Sequence, residues 1–264
     1  MIRGVALAAG GVKGIAHIAT LKYLEKKKLD FQIITGSSAG AIVAALYGLY
    51  GNSDIVRKKF FDAIEEFLPM FKGHMEKVEK SGVWSILQRS LVTIEEYYPF
   101  FKYLFGKKKF SDCIKNIGIV TFDTLNMESI LITEGYLVDA VMASSSVPGV
   151  FSPLWIGGTQ NTDGGVLSPT PVSEAISMGA EFVVASTFQR TPRKIPEDQL
   201  EIILCVDKWK EIEIEKVDLN YADVVIYYMI SAHWFEFHKY KQIYEEALRF
   251  IFERRENIEP LAWW

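Results

Sequence analysis

FQIITGSSAGAIVAALYGLY, residues 31–50, compresses a strand, a turn and a helix into one stretch. Phe31 to Thr35 is a short apolar run, as a buried strand requires. Gly36-Ser-Ser-Ala-Gly40 is the turn. Ala39 to Tyr50 is apolar on nearly all sides, which predicts a buried helix, and it is too short to span a bilayer. The same order stands upstream. Gly4 to Ala9 reads as a strand meeting Gly10-Gly11. Gly14 to Lys27 follows as a helix, with Lys26, Lys27 and Lys28 at the end where the helix dipole favours cations. Strand, helix, strand, helix in the first fifty residues predicts a parallel βαβ unit.

Downstream the composition changes. Residues 54–109 are helical in pattern and dense in aromatics, among them Phe60, Phe71, Trp84, Tyr97, Phe100 and Phe101. Ile117 to Phe122 and Ser129 to Thr133 read as strands around the turn-like Asp123-Thr-Leu-Asn126. Leu137 to Ser145 reads as a short helix ended by Pro148. A loop rich in Gly, Ser and Pro then carries Asp163-Gly164-Gly165. Phe182 to Ser186 and Val224 to Tyr228 are late strands, and Lys239 to Arg255 a closing helix. With no repeat, low-complexity tract or linker, one domain over residues 1–264 is expected.

The formal net charge of -4 and a pI near 5.7 argue against a nucleic-acid partner, which selects a basic face. Cys113 and Cys205 are too few for a disulfide framework and fit no metal-site spacing. The N-terminus meets glycines too early for a signal peptide. A cytoplasmic protein without metal or cofactor is the expectation. The sequence is silent on oligomeric state.

Gly36-Ser37-Ser38-Ala39-Gly40 fits G-x-S-x-G, a pattern that gains meaning between a strand and a helix. There the turn lifts the Ser38 hydroxyl above the sheet edge at a helix N-terminus, while Gly36 and Gly40 remove side chains that would collide. Ala9-Gly10-Gly11-Val12-Lys13-Gly14 follows the first strand, and its amides form a nest for an anion. If the two strands are parallel neighbours, about 5 Å apart, the Gly10-Gly11 amides and the Ser38 hydroxyl face one spot, as acyl transfer requires. A dinucleotide fingerprint lacks its first glycine, since Ala9 stands there, and lacks an acidic residue at the end of the second strand. A P-loop is excluded because Gly14 follows Lys13.

The serine needs a base. His17 falls on the first helix, where packing or capping is its expected role, and His74 lies in the aromatic segment. His233 and His238 follow the last strand, where an α/β-hydrolase keeps its histidine, so a Ser-His-Asp triad stands as one alternative. Asp163 is another, although an isolated D-G-G also makes ordinary turns.

Together the blocks AAGGVKG at 8–14 with His17 after it, GSSAG at 36–40, ASSSVPGVFSP at 143–153 and DGG at 163–165 resemble the patatin-like phospholipases in order and spacing. The likeness covers most of residues 1–190 and thins beyond. It implies an α/β protein of three layers, α/β/α, with a mostly parallel central sheet and a helical insert over roughly 54–109. It further implies a Ser38-Asp163 dyad with no histidine, and an oxyanion hole from the amides of Gly10, Gly11 and Val12. Lys13, Gly14, Gly36, Gly40, Gly164 and Gly165 would support the motifs. Such enzymes release fatty acids from phospholipids or related acyl esters without a metal ion, which implies a lipid partner and transient contact with a membrane surface. The family usually has a third glycine where Ala9 stands, so a methyl group that narrows the hole or shifts the turn is expected. The aromatic insert would be either a lid, with Lys107 to Lys109 facing lipid phosphates, or the core of a helical layer. A lipid-binding fold without catalysis is the non-enzymatic alternative; the presence of both Ser38 and Asp163 argues against it.

Overall fold

The computed structural model describes residues 1–81, 91–189 and 199–253; Trp84, Arg255 and the Trp263-Trp264 terminus lie outside them. The strands are β1 (Arg3–Leu7), β2 (Ile33–Ser37), β3 (Asn116–Asp123), β4 (Glu128–Ile132), β5 (Leu154–Ile156), β6 (Thr159–Asp163), β7 (Phe182–Phe188) and β8 (Val224–Tyr228). They form one sheet in the order β5-β6-β3-β2-β1-β7-β8, with β4 also on β3. β1, β2, β3, β7 and β8 run parallel; β4 and β6 pair antiparallel with β3, and β5 pairs antiparallel with β6.

The helices are α1 (Ala16–Lys26), α2 (Ala39–Tyr50), α3 (Ser53–Ser81), α4 (Ile94–Phe105), α5 (Leu137–Ser144), α6 (Val172–Ser177), α7 (Gln199–Leu219) and α8 (Tyr240–Glu253). They sandwich the sheet unequally. Alternation along the strands sends Val5, Leu7 and Ile34 into the larger core, shared with α1 to α5 and α8. Ala6 and Ile33 face the smaller one, with Val172 and Ala175 of α6 and Leu219 at the end of α7. Three layers result from a period of two on strands buried on both faces.

The aromatic insert is built as core. On α4, Tyr97, Phe100, Phe101, Leu104 and Phe105 are buried at the spacing of one helical stripe. Phe100 meets Phe60, Phe67 and Phe71 of α3 in tilted and edge-on contacts. The helix begins with a capping box, Thr93 and Glu96 each bonding the other's backbone.

Two elements depart from the expectation. Residues 149–165 are not simply a loop: β5 and β6 form a hairpin, with Gly157 and Gly158 at positive φ in its turn. α7 has no clear apolar stripe in the sequence and was unmarked by periodicity.

One register positions everything that follows. Ser37 at the end of β2 lies opposite Val120 of β3, and Asp163 at the end of β6 lies opposite Thr121. Because β4 occupies the other edge of β3 from Ile119 to Asp123, β6 must share the edge that β2 leaves. β2 therefore ends, and β6 ends, at neighbouring residues of one strand.

The elbow tolerates no added atoms. A Cβ on Gly40 would lie 2.1 Å from the Leu7 carbonyl oxygen, and one on Gly36 would lie 2.5 Å from the Gly40 carbonyl. Gly40→Ala is expected to destabilise the fold by about 3 kcal/mol, read as a lower urea midpoint with unchanged slope. A midpoint equal to wild type would mean that β1 and α2 separate freely.

Candidate active site

Ser38 is the residue between β2 and α2, with a positive φ of 54° that side-chain-bearing residues rarely adopt. Such a conformation costs about 1–3 kcal/mol and persists only where the surroundings impose it. Here the Ser38 N–H donates to the Ser144 hydroxyl at 2.8 Å, which itself donates to the Val120 carbonyl at 2.6 Å. The Ser38 carbonyl accepts the Ala41 amide at 2.9 Å, starting α2. The adjoining Ser37 hydroxyl donates to the Ser168 carbonyl at 2.6 Å.

Asp163 closes β6 and is followed by a 3-10 turn, Gly164–Val166. Its Oδ1 accepts the Gly165 amide at 2.7 Å, and its own N–H donates to the Ser146 carbonyl at 3.1 Å. The same carbonyl accepts the Thr162 hydroxyl. The Ser146 hydroxyl donates to the Met142 carbonyl at 2.8 Å, so the Tyr97 hydroxyl, 2.7 Å away, donates to Ser146. Burial pushes the Tyr97 phenol up to about 12, with the Asp163 charge adding to that and the Ser146 bond opposing it. Tyr97 thus stays protonated. The serine run 144–146 braces the elbow at one end and Asp163 at the other.

Gly164 and Gly165 are glycines for contact. A Cβ on Gly164 would lie 2.2 Å from the Val120 carbonyl oxygen, and one on Gly165 2.9 Å from the Ala9 Cβ. The Ala9 methyl therefore packs over Gly165, while its amide donates to the Pro169 carbonyl at 2.8 Å. Ala9 is absent from the residues at positive φ. The second glycine of D-G-G is what leaves room for that methyl. Gly14 likewise lets the start of α1 approach Ala39, where a Cβ would meet that methyl at 2.5 Å.

The glycine-rich turn corrects one expectation. Val12 does not present its amide to the site: the N–H donates to the Trp234 carbonyl at 2.7 Å. Gly11 sits beneath the same carbonyl at a φ of 57°, and a Cβ there would lie 2.2 Å from it. Gly10 and Gly11 line the same cavity as Ser38.

Ser38 and Asp163, 6% and 5% exposed, line one cavity of about 370 Å³ together with Gly10 and Gly11. Most of its remaining wall is apolar, including Ile42, Phe60, Phe71, Phe100 and Phe101. The insert is thus core on one side and cavity wall on the other, whereas the exposed Lys107, Lys108 and Lys109 do not line it. Of the four histidines only His74 reaches this cavity. His17 is buried between the Ala8 carbonyl, 2.9 Å from Nε2, and the Ser186 hydroxyl, 2.8 Å from Nδ1. Because a carbonyl can only accept, Nε2 carries the proton and His17 ties α1 to β1 and β7. His233 faces a neighbouring chamber, and His238 lies in a 3-10 turn, Phe237–Lys239. Among the described residues no three of His, Cys, Asp and Glu converge as a metal site, and no helix is long and apolar enough to cross a membrane. The positions of Tyr97 and Trp234 had no signal in the sequence, whereas Ser144 and Ser146 sit in a block already visible as a pattern.

A serine elbow at the end of a parallel strand, with a carboxylate and a glycine-rich turn on one largely apolar cavity, defines a class of α/β protein. The chain belongs to the patatin-like phospholipase family, whose model matches residues 5–176. It is 24% identical over 219 residues to the lysophospholipase NTE1 of Meyerozyma guilliermondii, covering 78% of this chain and 14% of that protein. It is 28% identical over 183 residues to the lysophospholipase NTE1 of Pyricularia oryzae, covering 69% of this chain and 12% of that one. The chain therefore spans a small part of the length of these relatives. The fold is similar to that of VipD from Legionella pneumophila, with a TM-score of 0.55 at 14% identity over 99% of this chain and 67% of VipD.

Ser144→Ala strips the partner from the Ser38 amide and the Val120 carbonyl together. A loss of about 1–3 kcal/mol in unfolding free energy is expected, and an unchanged value would remove Ser144 from the brace. Burial also lowers the His74 pKa, an effect partly opposed by Glu96. Between that lowered value and the usual 6.5 the unfolded chain binds more protons, so stability is full above about pH 6.5 and falls as pH drops through the window. The drop in melting temperature between about pH 7.5 and about pH 5 is expected to be smaller in His74→Phe than in wild type.

Proposed function

We propose that this chain is a serine acyl hydrolase acting on single-chain lipid esters, with Ser38 as nucleophile and Asp163 as its base. The observation that carries the reading is the shared edge of β3, where the elbow and the carboxylate end at adjacent register positions. The Ser38 hydroxyl attacks the ester carbonyl while its proton passes to the Asp163 carboxylate. The resulting oxyanion lies against the Gly10 and Gly11 amides at the start of the 3-10 turn that precedes α1, which stabilise it without reorganisation. Collapse expels the alcohol, which takes the proton from Asp163 and leaves the acyl group on Ser38. Water then repeats the sequence: it gives a proton to Asp163, attacks the acyl carbon, and collapse returns the proton to Ser38 as the fatty acid leaves.

An ordinary aspartate, with a pKa near 3.9, is a weak base for a hydroxyl. It serves here because proton transfer is concerted with attack, in a cavity whose walls are mostly apolar. A cavity of about 370 Å³ is near the lower end of the range for small-molecule sites, roughly 300–1,000 Å³, and suits one acyl chain better than two. The name lysophospholipase carried by the fungal relatives supports the same substrate class.

A fluorophosphonate probe is expected to label wild type on Ser38, located by mass spectrometry, and not to label Ser38→Ala. Asp163→Asn should react about a hundredfold more slowly or worse, the usual loss of a general base. For ester hydrolysis, Ser38→Ala plus Asp163→Asn should cost little more than either change alone, because the two act as a unit. No adduct on a folded wild-type protein, or additive losses, would overturn the dyad and favour a lipid-binding protein.

A further inference from the structure

The residues that line the Ser38 cavity differ sharply in exposure. Pro148 is exposed, and His74 and Met75 are half-buried, so they mark its mouth. Phe60, Phe100 and Phe101 line the same space yet are buried, so they mark its far wall. α2 runs along it. Ala39, beside Ser38, and Ile42, nearly one helical turn on, both line the cavity. Ala45 and Leu46, at the next turn, are fully buried and lie outside its wall. α3 shows the same boundary from the other side. Phe60 lines the cavity, whereas Val56 and Ile64, about one turn to either side of it, are fully buried core residues that do not. Phe60 is itself only 1% exposed, and its ring leans on Phe100 with 6.4 Å between centroids. The Phe60 ring thus stands between the space and the core where α2 and α3 pack together.

An acyl chain joined through its carbonyl to Ser38 gains by running along α2 past Ile42, because each methylene withdrawn from water stabilises the bound chain. At Phe60 that course ends, since the core behind the ring is close-packed. Volume sets how long a chain gets that far. Water takes about 30 Å³ per molecule in the liquid, and a methylene is close to that size, so about 370 Å³ holds about a dozen such groups. We propose that Phe60 is the end stop of the acyl pocket and selects medium-chain esters, with about eight to ten carbons in the chain once the ester group has taken its share. Shorter chains leave part of the apolar wall bare. Longer ones must displace the ring or leave their ends outside. The inference rests on the acyl hydrolase reading and deepens it, from single-chain esters in general to a class defined by length.

The first arm measures kcat/KM for p-nitrophenyl esters from butanoate to tetradecanoate, each below the concentration at which it aggregates. The value is expected to rise about fourfold per methylene up to the stop and then to level or fall. In Phe60→Ala the break is expected to move up by about three carbons, the space of the lost ring. In Ile42→Phe, which puts a ring into the same space nearer Ser38, it is expected to move down. A large-to-small core change also costs stability, but destabilisation lowers every chain length alike and leaves the break where it was. Should Phe60→Ala not fold, Phe60→Leu and Ile42→Phe carry the same test. A break that none of these variants moves, or a value that climbs through to tetradecanoate in wild type, overturns the stop. The second arm needs no turnover: calorimetry on Ser38→Ala with primary alcohols from hexanol to dodecanol. Their affinities are expected to break at the same length and to shift likewise when Phe60→Ala is added. Esters hydrolysed without a break would remove this inference and leave the hydrolase reading standing. If no ester is hydrolysed while alcohol binding breaks at a length that Phe60→Ala moves, the hydrolase reading fails and the stop stands.

Discussion

Everything at the site depends on one strand having more edge than its neighbour can use. β3 continues past the end of β2, and its peptide groups beyond Val120 still require partners, because an unpaired buried N–H or C=O costs as much as a lost hydrogen bond. β6 supplies them from the opposite direction. A parallel strand entering there would start at the site and run away from it. The antiparallel one arrives and ends, delivering Asp163 where β2 has just released Ser38. Gly164 then turns the chain beneath the Val120 carbonyl, where no side chain fits.

The strained elbow is held by polar groups more than by apolar packing. Ser144 satisfies the Ser38 amide, and Ser146 holds the β6 end through its carbonyl while receiving the Tyr97 hydroxyl from α4. Since Tyr97 belongs to the aromatic segment, that segment is coupled to the carboxylate as well as walling the cavity. In a largely dry space each of these bonds is stronger than in water, and each would be costly to leave unmade. The glycine turn is secured differently, by the Trp234 carbonyl above Gly11 and Val12.

How much was legible depended on whether a signal was local. The first two strands and helices could be read because burial on both faces makes their apolar runs continuous, and glycine marks their ends. β5 and β6 were hidden because β5 has three residues and the hairpin's Gly and Pro content looks like a loop. α7 was hidden because its apolar residues fall on no single stripe, and its end packs through Leu219 onto the minor core. Val12 was read by analogy as a donor, and no local feature announces that a carbonyl more than two hundred residues away already holds its proton.

The amino-acid sequence alone determined the chemistry within reach of the backbone: which serine stands on a glycine-flanked elbow, which glycines can crowd an anion, and which aspartate can turn at a strand end. These are consequences of steric freedom at single residues, and a neighbour or two suffices to express them. Tertiary structure alone decided which of those groups meet. Serine and carboxylate are separated by more than a hundred residues, and the register on β3 brings them to adjacent positions. The same holds for Tyr97 and Trp234, which come from distant segments and line the cavity of Ser38 and Asp163. Contact between distant segments is set by the packing of whole layers, and no local pattern encodes it.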